Sequence, residues 1–206
     1  MADTTPKSAR VPRFAVIAML LAAILIIAAG ALVGLAMRHS PNGNFLASAV
    51  GGPFHLVDQN GKPFTDADLK GKWNLVFFGY THCPDECPLA LNNMALALDA
   101  LGSKRSQVRI VFVTVDPSHD TPEVLKTYIK SFDAPMVGLT GSDAQIAQAA
   151  KDYHVYYAAH QDSHGKDTLD HSTIIYIMNP KGQFVAPVTS EDSSDKIAAR
   201  LKKLLS

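Results

Sequence analysis

The chain has little of what usually advertises a function. Lysine plus arginine and aspartate plus glutamate are equal at 19 each. That balance leaves no basic face for nucleic acid, so no nucleic-acid partner is expected. The 206 residues contain no internal repeat and no low-complexity tract, which leaves room for one globular domain plus an anchor. Charge is missing altogether from Phe14 to Met37. As a helix, those 24 residues reach roughly 36 Å, enough to cross a hydrocarbon core of about 30 Å. A cleaved signal peptide also has charged residues ahead of an apolar core, but such cores are about 7–15 residues long. An uncleaved transmembrane anchor is therefore expected over residues 14–37.

Basic residues are scarce after this run. Lys7, Arg10 and Arg13 precede it, whereas Arg38 is the only Lys or Arg in the twenty residues that follow. The positive-inside rule then keeps residues 1–13 in the cytoplasm and sends everything after Met37 across the membrane. Residues 38–52 read as a polar linker with Gly and Pro, and 53–206 as the exported domain. The N-terminus is short, carries Asp3 and lacks an Arg- and Ser-rich transit segment. A bacterial inner membrane, with the domain in the periplasm, fits better than a mitochondrial one. Gly30 and Gly34 form a GxxxG, a weak sign of helix pairing that reads more simply as lipid-facing filler.

Cysteine is the other scarce residue. Cys83 and Cys87 are the only two, and both fall in the exported part. A disulfide is the ordinary expectation in an oxidising compartment. A bridge closing so short a loop would add little stability, so chemistry is the better reason to have them. The mostly apolar run Trp73-Asn74-Leu75-Val76-Phe77-Phe78 predicts a buried strand. Cys83 follows it, and Cys87 lies at or near the start of the helix marked by Leu91, Met94, Leu98 and Leu101. Ligands bind at such strand-to-helix corners. The helix N-terminus favours thiolate, but Asp85 and Glu86 between the cysteines oppose it. No strongly acidic thiol is expected, and neither a potent oxidant nor a peroxidatic thiolate. Positions i and i+4 on a helical turn lie about 6 Å apart at Cα, within reach of a disulfide or a shared metal. Two thiolates select soft ions such as Cu(I), and Zn²⁺ as well, with imidazole the natural third ligand.

Eight histidines are available. His39 adjoins the expected membrane span and His55 sits in a hairpin strand. His82 neighbours Cys83, but adjacent residues often point apart. His160 and His164 lie in the polar stretch 161–168 or beside it. His171 stands between Asp170 and Ser172, just before an apolar strand, where a carboxylate neighbour would orient the ring as outer-shell groups do at metal sites. The residues alone leave two roles open for it, metal ligand or hydrogen-bonded structural histidine.

Elsewhere the pattern predicts a hairpin over Phe54–Thr65, with Asn60-Gly61 supplying the positive φ angles of its turn, and a helical turn over 66–69. Strands are predicted at 108–115, 136–139, 173–178 and 183–188. Helices are predicted from Asp120-Thr121-Pro122-Glu123 to about Phe132, over 142–153 and over 195–205. Alternating strands and helices, then a hairpin and a last helix, give an α/β sheet layered with helices.

At this point the residues resemble a known family. Phe78-Gly79-Tyr80-Thr81-His82-Cys83-Pro84-Asp85-Glu86-Cys87-Pro88 is similar to the signature of the Sco/SenC proteins, membrane-anchored copper-binding factors in cytochrome c oxidase assembly. Val115-Asp116-Pro117, Asp120-Thr121-Pro122, the Asp152-Tyr153 to Val155-Tyr156-Tyr157 stretch and Asp170-His171-Ser172 follow in the family's order. The resemblance implies a thioredoxin-like fold and one copper ion, Cu(I) or Cu(II), held by Cys83, Cys87 and His171. It implies, as partners, the copper-bearing subunit of the oxidase and other periplasmic copper carriers or thiol reductants. Members help deliver copper to the dinuclear centre, or reduce its cysteines beforehand with a redox-active pair, here Cys83 and Cys87. In the family, the loop bearing the histidine occupies the place where thioredoxin-like proteins usually carry a cis-proline. His119 departs from the pattern, since the family usually has arginine there.

Overall fold

The computed structural model describes residues 50–161 and 167–206, together with Ile24, Leu25, Ile27, Ala28 and Gly30. The chain divides into two units, Met1–Phe45 and Leu46–Ser206. The apolar run 14–37 lies outside the described residues except for those five positions, which are helical and exposed. Among the described residues, no helix is long and apolar enough to cross a membrane.

In the second unit, three apolar strands, β3 (Trp73–Gly79), β4 (Val108–Thr114) and β5 (Met136–Thr140), pair in parallel. Parallel pairing needs helical crossovers, supplied by α1 (Glu86–Asp99) and α2 (Pro122–Ile129). β8 (Ile174–Met178) pairs antiparallel with β3 and then with β9 (Phe184–Thr189). On the other side β1 (His55–Asp58) runs antiparallel to β5 and pairs with β2 (Pro63–Thr65). The resulting order is β2-β1-β5-β4-β3-β8-β9. α3 (Asp143–Asp152) follows β5, and α4 (Ser194–Leu204) closes the chain and packs on α1. Leu75, Phe77, Ile110, Phe112 and Ile175 are fully buried in the central strands, where each such side chain contributes about 1.5–3 kcal/mol.

A polar tie holds the helical turn after the N-terminal hairpin to the central strands. Arg109 on β4 donates to Asn74 Oδ1 at 3.0 Å and to the Asp68 carbonyl at 2.6 Å, with its guanidinium over the Phe64 ring. Burial lowers the Arg109 pKa, opposed by the charge of Asp68.

Several local expectations need correction. In the hairpin turn only Gly61 has a positive φ, +76°. Asn60 does not, because the Asp58 carboxylate organises the loop by accepting from Asn60 N–H and Lys62 N–H. α2 stops at Ile129, and the expected extension to Phe132 tightens into a turn in which the Phe132 N–H donates to the Ile129 carbonyl. After α1 a 3-10 segment spans Gly102–Gln107, which the sequence reading lacked. The largest difference follows α3. The extended piece expected from Val155-Tyr156-Tyr157 continues as β6 (Tyr157–Gln161), and Asp167–His171, partly within the polar loop expected over 161–168, is β7; the two form a separate two-stranded sheet. His160 is therefore a strand residue, with Nδ1 3.3 Å from Asp170 Oδ2, while His164 lies outside the described residues.

Candidate metal centre

β3 ends at Gly79, whose carbonyl accepts the Val115 N–H at 2.8 Å and so ties the corner to the end of β4. The chain then turns, with the Cys83 N–H donating to the Tyr80 carbonyl at 3.3 Å. α1 begins at Glu86, placing Cys87 in its first turn. There the unpaired N–H groups of a helix start stabilise negative charge, and the Cys87 N–H points at Cys83 Sγ from 3.4 Å.

The third member arrives from 84 residues away. β7 ends at His171, and its Nε2 lies 3.3 Å from Cys87 Sγ. The two sulfurs and one imidazole nitrogen all lie within 4.8 Å of one another, the only such group of three found among the described residues. Both cysteines are free and buried, Cys87 completely. The imidazole is held edge-on by Phe77 and Tyr80, with ring centroids 5.9 and 5.8 Å away. Tyr80 is fixed in turn by a hydroxyl contact to Thr168 Oγ1 at 3.1 Å, which pins β7 to the end of β3.

The His171 ring is oriented by the Ser172 carbonyl, which accepts from Nδ1 at 3.1 Å. That bond leaves the Nε2 lone pair facing the sulfurs, the tautomer a metal ligand needs. The expected orienting role of Asp170 does not hold. Successive strand side chains point to opposite faces, and Asp170 meets His160 instead. No cis peptide bond occurs among the described residues, so the end of the β6–β7 hairpin faces the corner without a cis-proline.

The two thiols are driven apart in acidity. The hydrogen bond with the Cys87 side chain pulls the Cys83 pKa far down, against burial and with help from His171 and the N–H groups of Cys87 and Asp85. Cys87 moves up, through the same pairing with Cys83, burial and the Cys83 charge. Cys83 is thus the thiolate of the pair. The expectation of no acidic thiol is not met at Cys83, because the Cys87 thiol, His171 and the N–H groups of Cys87 and Asp85 act on that sulfur directly. Burial works against a charged His171, but the Cys83 sulfur and the Ser172 carbonyl outweigh it and raise its pKa.

Four residues received no individual role from sequence. Tyr80 and Phe77 wall the imidazole. Gly79 makes room for the buried sulfur, since a Cβ there would sit 2.6 Å from Cys87 Sγ and 2.9 Å from Phe112 Cε2. Asp120, fully buried, accepts from the Thr81 N–H at 3.0 Å and from the Thr81 and Thr114 hydroxyls. It thereby clamps the cysteine loop to the loop after β4. Only Gly79 carried a usable signal, since a glycine ending a buried strand marks a close approach.

Fold and site together define a thioredoxin-like domain with a two-cysteine, one-histidine cluster at its β3–α1 corner. Residues 43–206 match the family model described as SCO1/SenC, and the chain belongs to that family. It is 42% identical over 140 residues to the mitochondrial protein SCO2 of Saccharomyces cerevisiae, covering 66% of this chain and 46% of that one. The chain thus spans about half the length of that yeast relative. Among solved structures, Bradyrhizobium japonicum ScoI with copper bound aligns with a TM-score of 0.69 and 45% identity, covering 75% of this chain and 99% of that one. BsSco, described as a member of the Sco family of cytochrome c oxidase assembly proteins with a disulfide switch, aligns with a TM-score of 0.60 and 26% identity, over 76% of this chain and 93% of that one.

Proposed function

We propose that this chain is a membrane-anchored copper carrier that binds one copper ion through Cys83, Cys87 and His171. It assists delivery of that ion to the dinuclear copper centre of cytochrome c oxidase. The observation that carries the reading is the convergence of the three ligand atoms within 4.8 Å, with the His171 tautomer set by Ser172. Thiolates suit Cu(I), and imidazole serves Cu(II) as well. Copper bound to ScoI of Bradyrhizobium japonicum supports the same cargo here. The exposed, helical Ile24, Leu25 and Ile27 support an anchor over residues 14–37. The flanking charges orient it across a bacterial inner membrane with 53–206 in the periplasm. Protease added to spheroplasts should then digest the domain and spare the N-terminus.

One observation favours a second reading, a thiol–disulfide reductase that keeps the partner's cysteines reduced. A low-pKa thiolate at Cys83 beside the buried thiol of Cys87 is the arrangement of an attacking and a resolving cysteine. Titration of the detergent-solubilised full chain with Cu(I) separates the two. The carrier binds one equivalent, with an affinity that drops sharply in His171→Ala. A reductase keeps its exchange rate and its support of oxidase assembly in that variant, and that result would displace the carrier reading.

A further inference from the structure

Outside the thiolate cluster, a second group of metal-ligating side chains stands on the same rim. The buried Asp120 clamp brings two loops together, and each presents one exposed histidine. His82 follows Thr81, whose N–H and hydroxyl are held by Asp120. His119 lies in a tight turn closed by the His119 and Asp120 N–H groups on the Asp116 carbonyl, at 3.2 and 2.9 Å. The two rings make a T-shaped contact, with centroids 6.0 Å apart and planes inclined by 72°.

Both rings engage the protein through Nδ1. His119 Nδ1 lies 2.9 Å from each oxygen of Asp116. The Ser118 hydroxyl donates to the same carboxylate at 2.8 Å. His82 Nδ1 is 3.3 Å from the Thr81 hydroxyl and 4.0 Å from Asp120 Oδ1. For His119 a carboxylate behind Nδ1 is the arrangement that fixes tautomer and direction in metal-ligating histidines, while for His82 the Thr81 hydroxyl takes that place. The imidazoles themselves are 67% and 69% exposed. A metal at 2.0–2.1 Å from two imidazole nitrogens sets the ring centroids roughly 4.5–6.3 Å apart, depending on the N–metal–N angle. The observed separation falls inside that range.

We infer that His82 and His119, backed by Asp116, form an accessory site for one divalent, imidazole-preferring metal ion such as Cu(II) or Zn(II). Water completes the shell, and the Asp116 carboxylate offsets part of the charge. The ligand set is nitrogen and oxygen, distinct in chemistry from the neighbouring sulfurs. The site does not depend on what the cysteines bind.

The test uses the full chain in detergent, carrying Cys83→Ser, Cys87→Ser and His171→Ala so that the thiolate cluster is silent. Cu(II) is the probe. One equivalent should bind with an electron paramagnetic resonance signal split by two imidazole nitrogens. His119→Arg and His82→Gln should each weaken binding about tenfold or more. With Zn(II) as probe, mass mapping should show His82 and His119, but not His55, protected from diethylpyrocarbonate. Unchanged affinity in either substitution, or protection absent at both rings, would overturn the shared site. Both altered side chains are exposed, and an unchanged melting temperature shows that the fold persists.

Discussion

Replacing Gly79 by alanine adds one methyl group where the structure has no space for it. The new Cβ would lie 2.6 Å from Cys87 Sγ and 2.9 Å from Phe112 Cε2. Gly79 is not among the residues with positive φ, so the cost is steric and not conformational. To reach even a tight contact of 3.4 Å, the sulfur would have to retreat by about 0.8 Å, and Phe112, itself fully buried, cannot yield freely. Such overpacking costs about 1–3 kcal/mol. Because the displaced atom is a proposed ligand, the loss should appear twice. Urea unfolding of the metal-free protein should show a lowered midpoint corresponding to that cost. Cu(I) affinity, measured by competition with a chromophoric chelator, should fall about tenfold or more, a tenfold change being 1.4 kcal/mol. A variant with native stability and undiminished affinity would refute the argument that Gly79 exists to seat the Cys87 sulfur.

Three further outcomes are expected. Cys83 should be ionised at neutral pH while Cys87 is not, so thiolate absorbance near 240 nm should report one thiolate per metal-free chain; none at pH 7 would contradict the Cys83 assignment. Because the Cys83 pKa is depressed in the folded state, its stabilising contribution is complete above the ordinary thiol pKa of about 8.5 and is lost as pH falls through the lowered value. Asp120→Asn removes the charge and leaves one acceptor oxygen where three donors converge on two, and should cost about 1–3 kcal/mol in urea unfolding; an unshifted midpoint would remove Asp120 as the clamp. Tyr80→Phe removes the hydroxyl contact to Thr168, worth about 0.5–1.5 kcal/mol, and should lower copper affinity by about 2- to 10-fold, with unchanged affinity arguing that β7 is held by other means.

The central strands were legible because burial leaves a mark on composition. Leu75 to Phe78 and Ile110 to Val113 are apolar runs with no polar alternation, as strands covered on both faces must be. The β6–β7 hairpin stayed hidden for the converse reason. Its strands pair only with each other, so the segment Asp167-Thr168-Leu169-Asp170-His171 carries a single apolar residue and reads as a loop. The cysteines and His171 could be picked out, but the direction of the imidazole could not, because a backbone carbonyl sets it and carbonyls leave no trace in a residue pattern. The acidity of Cys83 was misjudged for a related reason. Asp85 and Glu86 are visible in the sequence, whereas the approach of the Cys87 thiol to Cys83, and the N–H groups of Cys87 and Asp85 that add to it, exist only in the folded backbone. Asp116 and Asp120 look alike on paper, and only the tertiary fold separates the buried clamp from the carboxylate that meets His119.

X-ray absorption of the Cu(I)-loaded full chain tests the three-ligand site most directly, because it counts the atoms around the metal. The account requires two sulfur scatterers and one imidazole, with the imidazole contribution vanishing in His171→Ala. A spectrum fitted by two sulfurs alone, and unaltered by that substitution, would contradict it.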